Sequence, residues 1–120
     1  MGKPVIHFEV IGKDPGKLQK FYGQLFDWKV NTNNPGGYGM VDTDAGQGIP
    51  GGIGGGGQNP QDAQYGVTFY VQVPDPGATL RKAEQLGGKT LMQPTALPGG
   101  GPTLAAFTDP EGNRIGLTKG

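Results

Sequence analysis

Several residue types that carry common protein chemistry are absent or rare in this chain of 120 residues. It has no cysteine, which excludes disulfides, thiol nucleophiles and thiolate metal sites and fits a reducing cytoplasm. It has no serine, which excludes a serine nucleophile, and its only histidine is His7. The 10 basic and 10 acidic residues give a formal net charge of 0, so the sequence has no excess of positive charge that would favour binding to nucleic acid or to an anionic membrane.

Long hydrophobic runs are also missing, and none approaches the roughly 20 residues of a transmembrane helix. The first residues lack a basic segment followed by an apolar core, so we expect no signal peptide and predict a cytoplasmic protein without a membrane partner. Glycine, in contrast, is abundant at 25 of 120 residues, and with proline it concentrates at 35–37, 46–57 and 94–102. Because the segments between keep a clean periodicity, we interpret the chain as a folded domain with glycine-rich turns.

A strand followed by a helix is predicted near the start of the chain. Apolar and polar residues alternate over 5–10, which is the period of a half-buried strand. Asp14-Pro15-Gly16 then offers a side-chain acceptor for the N-cap and a proline for the first helical position. The apolar residues that follow recur at helical spacing and predict one buried helix face, formed by Leu18, Phe21, Tyr22 and Leu25.

The same design returns in the second half of the chain. Alternation over 67–73 precedes Asp75-Pro76-Gly77, which follows Asp14-Pro15-Gly16 by 61 residues. The second helix is expected over 75–86, with an apolar face of Leu80, Ala83 and Leu86, and closes at Gly87-Gly88. Several such echoes at nearly one offset predict an internal repeat, one unit used twice.

Further strands are predicted at 28–33, 38–43 and 49–53 in the first half, and at 89–93, 103–107 and 113–118 in the second. A loop is expected over 94–102, and Asp109-Pro110-Glu111-Gly112 is a strong turn signal before the last strand. We therefore predict an α+β fold of two tandem βαβββ modules that form a curved mixed sheet around a groove. The chain is one domain, 1–120, with module 1 at about 1–57, a linker at 58–64 and module 2 at about 65–120.

Alternation also predicts which side chains line that groove. If the apolar set of each strand packs on the helices, His7 and Glu9 lie on the opposite face of the first strand, and Thr68 and Tyr70 lie on that of its counterpart. Arg114 joins this face from the last strand. A polar face of this kind indicates a binding surface. The alternative is a solvent-exposed face of the sheet that binds nothing.

The segment 46–51 spells G-x-G-x-x-G, the signature of a dinucleotide site. That function requires a helix opening on the glycines, which Pro50 and the following glycines prevent. We interpret the run 51–57 as a flexible linker or as a mobile lip over the groove.

These motifs together resemble the vicinal oxygen chelate superfamily, which includes glyoxalase I, bleomycin-resistance proteins and extradiol dioxygenases. The resemblance rests on the opening VIHFEV at 5–10, the helix KFYGQLFDW at 20–28 and the closing FTDPEGNRIGL at 107–117. It covers almost the whole chain. It implies paired βαβββ modules and a homodimer.

Metal-using members of that superfamily carry four ligands drawn from His, Gln and Glu, one per inner strand. The resemblance places these positions at His7, near Gly52, at Thr68 and at Gly116. Only His7 keeps a ligand type, whereas a catalytic site needs about three protein ligands. Glu9 beside His7 would still make a weak, open site. We therefore expect no cofactor and assign no metal ligand, while a divalent metal is not excluded.

The leading hypothesis is that the chain binds a small organic molecule in the groove, as bleomycin-resistance proteins do. The predicted lining comprises His7, Glu9, Thr68, Tyr70 and Arg114. The chief alternative is an enzyme of the glyoxalase or dioxygenase type. Such an enzyme would be metal-free, with His7 as catalytic general base, or metal-dependent, with ligands that the sequence does not reveal. A third alternative is a scaffold that only mediates protein contacts.

Overall fold

The computed structural model describes residues 2–34, 36–56 and 65–119. In chain order its helices and strands are β1 (Val5–Ile11), α1 (Pro15–Phe26), β2 (Lys29–Asn31), β3 (Gly39–Asp42), β4 (Gly51–Gly54), β5 (Gly66–Gln72), α2 (Pro76–Gln85), β6 (Lys89–Ala96), β7 (Thr103–Thr108) and β8 (Arg114–Lys119). The predicted α+β class with two tandem βαβββ modules is confirmed. The predicted linker at 58–64 lies outside the described residues.

The chain divides into two compact units, His7–Val67 and Thr68–Gly120 with Met1–Ile6. In the first unit the strand order is β2-β3-β4-β1, and β1 runs parallel to β4. In the second the order is β6-β7-β8-β5, and β5 runs parallel to β8. Each module therefore connects its elements in the same order. Neither helix among the described residues is long and apolar enough to cross a membrane.

Both helices begin as their Asp-Pro-Gly motifs predict. The Asp14 Oδ1 accepts a hydrogen bond from the backbone N–H of Lys17 at 3.1 Å, and Asp75 Oδ1 accepts one from Ala78 at 3.1 Å. Each acceptor satisfies a backbone donor that has no partner inside the helix. The helix α2 ends where glycine was expected, with Gly87 at a φ of 106°.

The helix α1 does not bury the face predicted for it. Phe21 and Leu25 are 55% and 56% exposed, while Leu18 and Tyr22 are only half-buried. One reason is that β4, which α1 covers, is mostly glycine and offers few side chains to pack against. The contact is partly polar instead, because Gln19 Nε2 donates a 2.8 Å hydrogen bond to the carbonyl oxygen of Ile53.

The second unit has a well-defined apolar core between its sheet and α2. Its buried members, with two partly buried neighbours, are Val73, Leu80, Ala105, Leu117, Val71 and Phe107. Three residues predicted to join it are instead exposed, namely Val67 at 74%, Phe69 at 41% and Leu86 at 71%. The core centres on Leu80 and includes Val71 and Val73, so the prediction was wrong for the first half of β5 and for the last residue of the helical face.

The strands in two glycine- and proline-rich segments have bounds that differ from the predicted ones. The strand predicted at 49–53 is present as the buried strand β4, Gly51–Gly54, which occupies the start of the run 51–57 that was interpreted as a linker or lip. Gly51 pairs directly with Phe8, whose ring covers the glycine where a side chain would otherwise stand. Strand β6 likewise continues past the predicted end to Ala96, with irregular register against β7. These corrections arise because cross-strand neighbours, not local propensity, stabilise the strands.

Candidate functional site

The first unit brings His7 and Glu9 together through Tyr38, a residue that strand alternation did not predict for the site. The Tyr38 hydroxyl donates a hydrogen bond to Glu9 Oε2 at 2.9 Å and lies 3.2 Å from His7 Nε2. His7 and Glu9 are two residues apart on β1, so their side chains share one face of the strand. Phe8, between them, contacts Trp28 at a ring-centroid distance of 5.3 Å.

Tyr38 is held in place by hydrogen bonds to its backbone and by packing of its ring on the glycines of β4. The Asn34 side chain accepts from the Tyr38 N–H at 3.1 Å and donates to the Tyr38 carbonyl at 2.7 Å. The tyrosine ring then lies over Gly52 and Gly54, in the space that a Cβ at either position would require. Two features of the sequence could have pointed to Tyr38. It directly precedes the strand β3, and β3 pairs with β4, a strand rich in glycine whose surface a large side chain can cover.

The hydrogen bonds also define the protonation of the site. The single Tyr38 proton is directed at the Glu9 carboxylate, so toward His7 the tyrosine oxygen acts as an acceptor. This assignment places a proton on His7 Nε2. Burial lowers the pKa of His7 from its ordinary value of 6.5, and the negative charge of Glu9 opposes that shift only in part. The imidazole is therefore neutral at pH 7.

The second unit carries the other predicted site residues on the face opposite α2. Thr68 and Tyr70 are both 6% exposed, so neither is the solvated side chain expected on a solvent-exposed sheet face. Tyr70 pairs with Gly116, and its ring covers that glycine as Tyr38 covers Gly52. Arg114 shares this face because it lies two residues before Gly116 on β8.

The strand registers show that Gly52 and Gly116 are equivalent positions. Glu9 pairs with Gly52 in the first unit, and Tyr70, 61 residues after Glu9, pairs with Gly116 in the second. Both are positions where the superfamily resemblance implies metal ligands. Each lacks a side chain, and a tyrosine fills the space where one would begin.

The residues present at the superfamily's four metal positions therefore do not fit a catalytic divalent ion. His7 supplies one imidazole, Thr68 offers only a neutral hydroxyl, and the two glycines offer nothing. Across the described ranges, no three His, Cys, Asp or Glu side chains lie close enough together to hold a metal.

The sequence model of the glyoxalase-like domain matches residues 8–118. The chain belongs to this family. No curated protein matches this sequence. This family match confirms the predicted resemblance to the vicinal oxygen chelate superfamily. Solved structures share the fold of this glyoxalase-like protein over nearly its whole length.

Three of these structures illustrate the range of the fold. A glyoxalase/bleomycin resistance protein/dioxygenase superfamily member from Vibrio splendidus 12B01 is 16% identical, with a TM-score of 0.64, and the match covers 99% of this chain and 100% of that one. Methylmalonyl-CoA epimerase from Mycobacterium tuberculosis is 12% identical, with a TM-score of 0.64 and coverage of 96% and 86%. A protein described as NAD-dependent benzaldehyde dehydrogenase from Legionella pneumophila is 17% identical, with a TM-score of 0.66 and coverage of 94% and 96%. At these identities the likeness concerns the fold alone.

Proposed function

We propose that this glyoxalase-like protein binds a small organic molecule on the polar faces of its modules, without a catalytic divalent metal. The observation that carries the proposal is the position of Tyr38. Its hydroxyl joins His7 to Glu9, and its ring fills the space above Gly52, where a metal-using relative would carry a ligand.

The chemistry of the linked side chains suits recognition of a polar organic group. The phenol of Tyr38 lies 3.2 Å from a neutral imidazole, that of His7, and 2.9 Å from the carboxylate of Glu9. Small-molecule sites use a few such polar groups of fixed orientation to direct a ligand that is otherwise buried against apolar surface. Asn34 fixes the backbone of Tyr38 through two hydrogen bonds, and so helps to hold the three groups in this arrangement.

Native mass spectrometry of protein purified without chelators or an affinity metal tests the proposal directly. We expect protein free of metal and carrying an organic adduct, whose mass begins to identify the ligand. A stoichiometric transition-metal adduct that disappears in His7→Ala would overturn the metal-free assignment. A protein that retains no adduct and shows no thermal shift with any member of a small-molecule library would overturn the binding function and favour the scaffold alternative.

A second candidate is a metal-free enzyme with His7 as general base, and the lowered pKa of His7 favours it. An imidazole that stays neutral at pH 7 and is oriented by Tyr38 is suited to accept a proton from a bound substrate. One of the similar structures is an epimerase. A pH–rate profile would show an acidic limb below about 6.5. The variant His7→Gln keeps a side-chain donor for Tyr38 but no basic nitrogen, so it would abolish turnover while a pure binder would keep its ligand.

We further propose that the protein forms a homodimer, as the superfamily resemblance implies. The same mass spectra give the mass of the assembly. A monomer at micromolar concentration, by mass spectrometry and by light scattering, would overturn this proposal. The cytoplasmic location remains a prediction from the sequence.

A further inference from the structure

Three side chains on neighbouring strands of the second unit form a cross-strand row of donors. Lys89 on β6 pairs with Thr108 on β7, and Thr108 pairs in turn with Arg114 on β8. Directly paired residues project from the same face of a sheet, so side chains that end in an ammonium, a hydroxyl and a guanidinium leave three neighbouring strands on one face. We call this set the Lys89–Thr108–Arg114 row.

The row lies on the face that also carries Tyr70. Phe107, next to Thr108, packs into the core beneath α2, and alternation therefore directs Thr108 to the opposite face. Arg114 is on the same face as Gly116, which the Tyr70 ring covers. Neighbouring strands are about 4.8 Å apart, so the two cationic residues are separated by roughly 10 Å at the backbone. Their long side chains can both reach a group bound over Thr108.

The Arg114 side chain has a donor that the protein itself does not satisfy. Its Nε is fully covered, and no hydrogen-bond acceptor for it lies within the part of the chain that the structure describes. A covered N–H without an acceptor is rare because its desolvation is not compensated. Arginine is also always charged, and its planar donors match the oxygens of a carboxylate or a phosphate.

The carboxylate closest in sequence to the row is already engaged elsewhere. Asp109 Oδ1 accepts from the backbone N–H groups of Glu111 and Asn113, and its Oδ2 accepts from Asn113 Nδ2, each at 2.9 Å. These bonds lower the pKa of Asp109 and hold it as an anion within the turn. Glu84 accepts a hydrogen bond from Thr90, the residue after Lys89. Both carboxylates therefore already have hydrogen-bond partners outside the row.

We propose that the Lys89–Thr108–Arg114 row binds an oxyanion, a carboxylate or a phosphate, carried by the small molecule. This inference rests on the proposed binding function and deepens it, because it assigns the ligand to the class of organic anions. Arg114 would donate from its guanidinium group, Thr108 from its hydroxyl and Lys89 from its ammonium.

Nuclear magnetic resonance of the ¹⁵N-labelled full chain tests the inference without a known ligand. The chain has only two arginines, so its Nε–H signals come from Arg114 and from the exposed Arg81 of α2. The probes are propionate and inorganic phosphate, and propionamide is the uncharged control for propionate. We expect a saturable shift of the Arg114 Nε–H signal with at least one anion and none with propionamide. Propionate and phosphate together distinguish a carboxylate site from a phosphate site.

Matched variants separate the row from general charge effects. We expect Arg114→Gln to weaken binding of the anionic probe by about tenfold or more, since charged hydrogen bonds are lost. Lys89→Gln should weaken it by a smaller factor, while Arg81→Gln and Lys82→Gln on α2 should leave it unchanged. The wild-type titration needs no variant, so a variant that misfolds does not prevent the test.

The outcomes distinguish this inference from the proposed function. Shifts of Arg81 and Arg114 that are equal and do not saturate would overturn the row as a site. Backbone shifts around His7 and Tyr38 with propionamide, and none at Arg114 with either anion, would overturn the inference and leave the binding function standing. Absence of saturable shifts with every probe, together with absence of any adduct in native mass spectra, would overturn both.

Discussion

The ring of Tyr38 occupies the space above Gly52 in which a side chain at that position would have to begin. The glycine and the tyrosine therefore depend on each other, because a larger residue at 52 would displace the phenol that links His7 to Glu9. A metal-ligating residue at position 52 could be accommodated only if the Tyr38 side chain moved away. This relationship makes both the packing and the chemistry of the site testable.

Gly52→Ala should lower the free energy of unfolding by about 1–3 kcal/mol, the usual cost of overpacking a well-filled interior. Gly16→Ala in α1 is the matched control, since a Cβ there meets only Asp14 Oδ1, at 3.8 Å. That substitution should be neutral or stabilise by up to about 1 kcal/mol. Urea denaturation measures both, and the penalty at 52 should shrink in a Tyr38→Ala background. Equal stability of Gly52→Ala and wild type would contradict the packing described.

Tyr38→Phe removes only the hydroxyl and keeps the ring that covers Gly52. We expect a loss of about 1–2 kcal/mol of stability, because the hydrogen bond to the Glu9 carboxylate disappears. In a double-mutant cycle with Glu9→Gln, the two losses should be less than additive, since both variants break the same bond. Strict additivity would show that the bond contributes nothing in solution. Tyr65→Phe, at an exposed tyrosine, serves as control.

The lowered pKa of His7 makes stability depend on pH in a defined direction. Since the folded pKa lies below the unfolded value of 6.5, the unfolded chain binds more protons in the interval between them. The stabilisation from the neutral imidazole is therefore complete above the unfolded pKa and is lost as pH falls through 6.5 to the folded pKa. Urea midpoints measured from pH 7.5 downward should show this loss in wild type and lack it in His7→Gln.

Glu9→Gln should lower the pKa of His7 further, because the Glu9 charge is what opposes the effect of burial. His7 is the only histidine, so its ring resonances are assigned without ambiguity in a pH titration followed by nuclear magnetic resonance. Glu84→Gln is the charge-matched control and should leave the His7 pKa where it is. A His7 pKa that rises in Glu9→Gln would contradict the site as described.

Leu80 of α2 and Leu86, the residue that caps the helix C-terminus, should respond very differently to truncation. Leu80 is 3% exposed and lies in the apolar core with Val73 and Leu117, whereas Leu86 is 71% exposed. Leu80→Ala should cost about 2–5 kcal/mol, from lost burial and the cavity left behind. Leu86→Ala should stay within about 0.5 kcal/mol of wild type, as at most surface positions. Similar costs for the two would mean that the helix packs by the face that the sequence pattern predicted.

Local rules in the sequence were enough to predict the elements of this fold. Asp14-Pro15-Gly16 and Asp75-Pro76-Gly77 start helices because capping depends on a few neighbouring residues. Alternation along β1 and β5 correctly separated His7 and Glu9 from Phe8, and Tyr70 from Val71, because side chains of a strand point alternately to its two faces. The resemblance carried by the opening, helix and closing motifs led to the correct family.

Other features depended on pairings between residues far apart in the chain, which periodicity does not encode. Exposure of Phe21 and Leu25 follows from the glycines of β4 beneath α1, and β4 itself is ordered because Phe8 and Tyr38 cover it. The links from Tyr38 to His7 and Glu9 span 31 and 29 residues. The sequence by itself determined the order of the elements, the helix ends and the residues on each strand face, since these follow from local backbone chemistry. Only the tertiary structure decided that tyrosine rings cover Gly52 and Gly116, where metal-using members of the superfamily carry ligands, because that depends on which strands become neighbours.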